Sequence, residues 1–269
     1  MPGTAESSTK DLLEVDGLSK TFKGLHAVDG YRLRLRAGEI LGIIGPNGAG
    51  KSTVFNLLTG HVNPTRGTIR FRGRDITGFS PDRIAGLGIG RTFQNIRLFS
   101  SMTVVENVAC ARQLHDRSRM LPTLLSWPTF QRREERLVRE SLDDLRLFGL
   151  EDRAGAMATS LPYGDQRRLE IVRALAVRPK LLLLDEPTAG MNSSESSIVL
   201  DLIRRIRDQY ALTIILVEHN MPLVMRLCER IQVLNYGQII AEGTPETVRA
   251  DPRVIESYLG QVEENAEAR

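Results

Sequence analysis

Cysteine is scarce: Cys110 and Cys228 are the only two in 269 residues. They stand far apart and beside no other metal-ligand pattern, which argues against a disulfide scaffold and leaves the expectation of two reduced, buried thiols in a cytosolic protein. Aromatic residues make up only 5% of the chain, which speaks against a surface built to stack sugars or bases. Long hydrophobic runs are missing too. The longest, Leu181–Leu184 and Ile214–Val217, fall far short of the roughly 20 apolar residues that a spanning helix needs, so the chain is not expected to cross a membrane by itself. The first ten residues are small and polar and lack the apolar core of a secretory signal. Nor does one sign of charge dominate. Lys and Arg number 36 against 33 Asp and Glu, a net charge of +3 despite a pI near 9.0. That balance describes an ordinary solvated surface rather than a polyanion-binding footprint, and nucleic acid is not an expected partner.

The hydrophobic fraction of 41% and the charged fraction of 26% are those of a globular chain with a core of its own. Leu12–Val15 and Tyr31–Leu35 alternate like antiparallel or edge strands. Ile40–Ile44 is a short apolar run entering a glycine-rich turn, and Lys51–Thr59 has helical character. Ile69–Arg72, between Gly67 and Gly73, reads as a strand in a hairpin, and its arginines as a solvated face. From about 102 to 150 the pattern becomes helical, with Val138, Leu142, Leu145 and Phe148 on one face. The segment around Pro122, Trp127 and Pro128 is expected as a loop. From 181 onward, apolar strands at Leu181–Leu184 and Thr213–Val217 flank a helix at Ile198–Asp208. Continuous apolar strands separated by helices imply a parallel sheet covered on both faces. The expected fold is therefore an α/β core with a mainly parallel sheet, an N-terminal antiparallel β part and a helical insertion, and the Gly45–Ser52 motif that follows Ile44 makes that core a phosphate-loop NTPase one. As domains, 11–260 form one unit: 11–94 and 166–240 the core, 95–165 the helical part, 241–260 a tail, with flexible ends at 1–10 and 261–269.

Gly45-Pro46-Asn47-Gly48-Ala49-Gly50-Lys51-Ser52 fits G-x-x-x-x-G-K-[ST], a pattern that a chain of this length meets by chance roughly once in a hundred times. Glycines let the backbone turn its N–H groups toward phosphate oxygens, and the helix that follows presents its positive end to the same anion. Lys51 would neutralise the β- and γ-phosphates of ATP, and the Ser52 hydroxyl, followed by Thr53, would ligate Mg²⁺. Asp185 and Glu186 close the apolar strand Leu181–Leu184, at the strand end where ligands bind in open α/β sheets. Asp185 is placed to hold Mg²⁺ through water, and Glu186 to polarise an attacking water as general base. His219 ends the next apolar strand and is expected at the γ-phosphate or that water. Glu218 beside it is expected on the surface.

These motifs, in this order, resemble those of the ABC-type ATPases over roughly residues 12–260. The resemblance adds Gln94, in Arg91-Thr92-Phe93-Gln94, as the Q-loop glutamine that senses metal and water and links the site to a membrane subunit. It adds Phe22 as the aromatic that stacks on adenine, and His219 as the switch histidine. It makes Tyr163, Gly164, Asp165 and Gln166 a variant signature motif acting on a partner's nucleotide. Two such subunits would close head to tail over ATP, driving integral membrane permease subunits and, indirectly, a substrate-binding protein. The Tyr163–Glu170 stretch, the 121–133 segment and the 251–260 tail most resemble the ATPases of branched-chain amino-acid importers. Urea and short-amide importers and the lipopolysaccharide-export ATPase are similar. From other classes, a nucleic-acid-linked ABC ATPase would be expected to carry tandem cassettes or a coiled-coil insertion, and a non-hydrolysing regulatory subunit would not need Glu186 and His219. The signature departs from the family pattern: Pro162 stands for the usual serine, Tyr163 for the first glycine, and Asn192 for the usual D-loop aspartate. Two unequal sites in a heterodimer are expected from this, with a homodimer as the alternative.

Overall fold

A computed structural model of the chain describes residues 11–115 and 127–258. In chain order the main elements are β1 (Asp11–Phe22), β2 (Leu25–Arg36), β3 (Ile40–Ile44), α1 (Lys51–Leu58), β4 (Arg66–Phe71), β5 (Arg74–Asp75), α2 (Pro81–Gly86), β6 (Ile89–Arg91), α3 (Val104–His115), α4 (Trp127–Leu147), α5 (Tyr163–Ala176), β7 (Leu181–Asp185), α6 (Ser193–Tyr210), β8 (Thr213–Val217), α7 (Met221–Leu227), β9 (Arg230–Asn235), β10 (Gln238–Gly243) and α8 (Pro245–Ala250). They divide into two compact units, one of residues 1–84 with 210–269 and one of residues 85–209.

The first unit holds an antiparallel sheet ordered β2-β1-β4-β5. Its alternation is the one the sequence implies. Leu13 and Val15 pair with Leu35 and Leu33 on the buried face, while Glu14 stands between Arg34 and Arg70 on the outer one. The arginines of this edge thus lie on a solvated face against acidic neighbours, Arg32 pairing with Asp16 at 3.2 Å. β3 is buried at every position and lies parallel between β8 and β9. No polar alternation is needed for a strand with both faces covered. Tyr31 fastens the antiparallel sheet to β9 by donating its buried hydroxyl to Gln232 Oε1 at 2.7 Å. Beneath β3, an added Cβ at Gly42 would lie 2.9 Å from Cys228 Sγ. Burial pushes that thiol up to about 12, so it is inert; Cys110 is only half-buried.

The second unit pairs β6 with β7 in parallel and sets both against helices. A capping box opens α3: Glu106 accepts from the Thr103 N–H at 2.7 Å and from its hydroxyl at 2.8 Å. Fully buried Asn107 binds the preceding loop through the Phe99 N–H and the Phe99 and Thr103 carbonyls. Two expectations fail here. α4 begins at Trp127 rather than after a loop, because Pro128 falls in its first turn, where the missing N–H has no intrahelical acceptor to serve; residues 116–126 lie outside the described part. The inward face of α4 is the predicted one only in part. Val138 is exposed, and Ser141 and Asp144 are buried beside Leu145 and Phe148. Asp144 is sealed because Arg112, itself buried, bonds it and also reaches Glu140 at 2.7 Å. Burial raises the Asp144 pKa and Arg112 opposes the rise. Removing Asp144 leaves the buried Arg112 with Glu140 alone, so Asp144→Ala is expected to lower unfolding free energy by about 3 kcal/mol in urea titration. A loss under about 1 kcal/mol would mean that water reaches Arg112.

Candidate nucleotide site

Two groups of predicted residues emerge, one in each unit. In the first, the Gly45–Ser52 loop leaves the carboxyl end of β3 and runs into α1. Gly45, Pro46 and Ala49 are buried, while Asn47 and Gly48 form the exposed tip. Glycine is obligatory where the loop meets its support. Gly50 adopts φ 101°, and a Cβ there would stand 2.5 Å from the Ala27 carbonyl oxygen; at Gly45 it would stand 2.1 Å from that of Leu234. The loop is held from behind by the β9–β10 turn, where the Gly237 N–H donates to the Ala49 carbonyl at 2.9 Å. Lys51, 9% exposed, donates its ammonium to the Gly45 and Pro46 carbonyls at 2.6 and 2.8 Å. The charge therefore lies inside the loop. Ser52 is exposed and Thr53 half-buried at the helix start.

His219 follows β8, the parallel neighbour of β3 with Val217 opposite Ile43, so the loop and His219 leave the same edge of adjacent strands. The His219 side chain is 63% exposed. Glu218 is not on the surface as expected. It is wholly buried, and its Oε2 accepts the His219 backbone N–H at 3.3 Å. Phe22 ends β1 at 43% exposure, with the Lys20 ammonium 5.0 Å from its ring centre. Tyr258, ending the helical turns 252–258, lies beside the Gly45 amide: burial raises its phenol pKa and that amide opposes the rise.

In the second unit, Asp185 and Glu186 stand at the carboxyl end of β7. Asp185 is 3% exposed and pairs with Arg91 at 3.2 Å. Burial raises its pKa, and Arg91 opposes that most strongly. Its N–H donates to Thr92 Oγ1 at 3.1 Å. Glu186 has φ 47°, a left-handed backbone that costs a non-glycine residue roughly 1 kcal/mol. Gln94 is exposed, and its Nε2 donates to Glu186 Oε2 at 3.4 Å.

The signature stretch opens α5. Pro162 is the cap, and its carbonyl accepts the Asp165 and Gln166 N–H groups at 3.0 Å each. Asp165 is bonded by Arg168 and faces Arg153 at 3.6 Å, and Gln166 turns back to the Leu161 carbonyl at 2.8 Å. Gly164 lies over the start of α6, where an added Cβ would be 3.7 Å from Glu195 Oε1. The Tyr163 ring lies against Gly190, where a Cβ would come within 2.9 Å of Cε1. Asn192 caps α6, accepting the Glu195 N–H at 2.9 Å while Glu195 accepts its own at 3.0 Å. The groups that a reading of the sequence overlooks are Arg91, Thr92, Arg167, Glu170 and Glu218. For Glu170 and Arg167 the only local sign is an opposite-charge pair three residues apart on α5.

A family model described as "ABC transporter" matches residues 28–189, and the chain belongs to that family of ATP-hydrolysing transport subunits. A second model, described as "Branched-chain amino acid ATP-binding cassette transporter", matches residues 238–264. Among curated relatives, the high-affinity branched-chain amino acid transport ATP-binding protein LivG of Salmonella typhimurium is 45% identical over 94% of this chain and 99% of its own length. BraF of Pseudomonas aeruginosa, of the same description, is 44% identical over the same shares. The ATP-binding cassette MJ1267 in its ADP conformation superposes with a TM-score of 0.80 at 29% identity, covering 93% of this chain and 99% of that one. The dimeric post-hydrolysis cassette MJ0796, bound to ADP and Pi, gives 0.75 at 26% identity over 87% and 98%. The fold and the ATPase class expected from the motifs are those found.

The loop's dependence on glycine is testable. Gly50→Ala should keep the helical circular dichroism of the chain but weaken ATP binding at least about tenfold in calorimetric titration, since 1.4 kcal/mol of loop distortion is enough for that factor. Unchanged affinity would show that the loop yields to a Cβ.

Proposed function

We propose that this chain powers an importer of branched-chain or related amino acids. It works on the cytoplasmic face of the inner membrane, beside integral permease subunits, a second ATPase subunit and, through these, a substrate-binding protein. The observation that carries the cargo class is end-to-end likeness. Identity of 44–45% to LivG and BraF spans nearly the whole chain, and the matched tail at 238–264 holds no catalytic motif. Likeness to the lipopolysaccharide export ATPase LptB of Acidithiobacillus ferridurans is lower, at 36%. Among the described residues no helix is long and apolar enough to cross a membrane, so passage of cargo is left to the permease.

At the nucleotide, Phe22 stacks on adenine, and the Gly45–Gly50 amides with Lys51 take up the phosphates. To reach them, the Lys51 ammonium gives up its bonds to the Gly45 and Pro46 carbonyls. Ser52, Gln94 and Asp185 offer hydroxyl, amide and carboxylate oxygens, a hard donor set that suits Mg²⁺. Held by these residues, Mg²⁺ would supply positive charge against that of the phosphates. Asp185 is kept ready for a cation by the one it already faces, Arg91. Glu186 takes a proton from the attacking water as the water oxygen bonds to the γ-phosphorus and the bond to the bridging oxygen breaks, leaving ADP and phosphate. Gln94 steadies the Glu186 carboxylate, and His219 contacts the γ-phosphate.

The signature serves the partner's nucleotide poorly. Pro162 has neither hydroxyl nor N–H to offer, and Tyr163 is bulky where backbone would approach phosphate. The favoured assembly is a heterodimer in which the partner's regular signature completes this chain's own site. Mixing this chain with its cognate second ATPase should raise turnover well above that of either alone; the same turnover in the mixture would favour a homodimer.

The cargo test is uptake of labelled leucine by cells lacking this chain, complemented with wild type or with Glu186→Gln. Restoration by wild type alone is expected. Leucine uptake that survives the deletion would remove the cargo assignment and turn attention to urea and short amides.

A further inference from the structure

The side chain with most at stake in the second unit lies in the Tyr163–Glu170 stretch, just beyond the four residues read as the signature. Arg167 sits one turn into α5, fully buried. One terminal nitrogen donates to the Phe93 carbonyl at 2.5 Å and to Glu170 Oε2 at 2.7 Å. The other donates to the carbonyls of Asp185 and Glu186, each at 2.7 Å. Glu170, also buried, accepts the Phe93 N–H through its other oxygen at 3.2 Å. One ion pair therefore joins three segments: the start of the signature helix, the residue before Gln94, and the backbone of both carboxylates at the end of β7.

The position of these bonds is more telling than their number. Glu186 is held in a left-handed conformation that its own side chain disfavours, and its carbonyl is one of the Arg167 acceptors. Phe93 precedes Gln94, whose amide reaches the Glu186 carboxylate. A guanidinium is a planar fork with five donors, able to fix several acceptors at set angles; an ammonium is a point charge that cannot. We propose that Arg167, held by Glu170, is a positioning residue for hydrolysis, locking Glu186 and Gln94 to the signature helix so that the three move as one body.

The inference rests on Glu186 being the general base. It implies that whatever engages the Tyr163–Gln166 end of α5 is felt at this chain's own hydrolytic carboxylate through one side chain. A shift of about 1 Å at a reacting group can lower turnover by roughly a hundredfold, while nucleotide affinity, set by the phosphate loop, need not change.

The test measures Mg·ATP turnover and nucleotide affinity for the full-length chain, in its transporter complex, as wild type, Arg167→Lys, the double variant Arg167→Met with Glu170→Leu, and Glu186→Gln. Replacing both members of a buried pair by apolar residues is often tolerated by the fold, and the melting temperature of each variant is read alongside. The expected result for the double variant is a kcat lowered roughly 30- to 100-fold with KM for ATP within about threefold of wild type. Arg167→Lys, which keeps the charge but not the fork, should lose roughly tenfold in kcat, also at constant KM. If the double variant does not fold, the Lys variant decides alone. Wild-type kcat in a folded variant, or a loss that tracks KM or melting temperature, overturns the inference and leaves the pair a structural one. Glu186→Gln separates the two layers: if it retains turnover, the base assignment fails; if it abolishes turnover while the Arg167 variants keep it, only this inference fails.

Discussion

A guanidinium shut away from water must find oxygen partners inside the protein, and the organisation of the helical unit follows from how Arg167 meets that demand. Its acceptors are backbone carbonyls at Phe93, Asp185 and Glu186 together with one buried carboxylate. A lone buried cation would cost several kcal/mol. Here the four bonds of its terminal nitrogens form only when three separate stretches of chain reach their places, so the pair ties local folding to the geometry of a chemical site. Arg112, serving Glu140 and Asp144, plays a comparable part between α3 and α4.

The phosphate loop meets the opposite demand. It must keep N–H groups free for a ligand while the backbone that carries them stays fixed. Glycine supplies the conformations and the close approach at Gly45 and Gly50, the β9–β10 turn braces the loop from behind, and Lys51 lies across it on two carbonyls. In the proposed cycle Lys51 gives up those two bonds to reach a phosphate, so the backbone of the loop is set in advance and its lysine is not. Asp185 is arranged in the same spirit, its carboxylate facing Arg91.

Much of this was legible in the sequence, for identifiable reasons. The phosphate loop, the Asp185-Glu186 pair and the apolar strands before them are contiguous patterns, because the chemistry or the burial needs those residue types side by side. The residues that escaped notice are ones whose partners lie far along the chain. Arg91 meets Asp185 across 94 positions, and Glu170 meets the Phe93 amide across 77. Nothing in a helical wheel says that a charged residue on α5 is buried. The face of α4 was misjudged in part for the same reason, since the buried Asp144 is met by Arg112 and Arg178 from elsewhere in the chain. Glu218 was taken for a surface residue because a Glu beside an exposed His ordinarily is one; its burial is decided by what packs around β8.

Coupling of ATP turnover to the passage of amino acids is measured as ATP hydrolysis by the complete transporter reconstituted in proteoliposomes, with the substrate-binding protein present and leucine added or withheld. Leucine is expected to raise the rate of phosphate release several-fold. A rate indifferent to every branched-chain amino acid, in vesicles that still hydrolyse ATP, would contradict it.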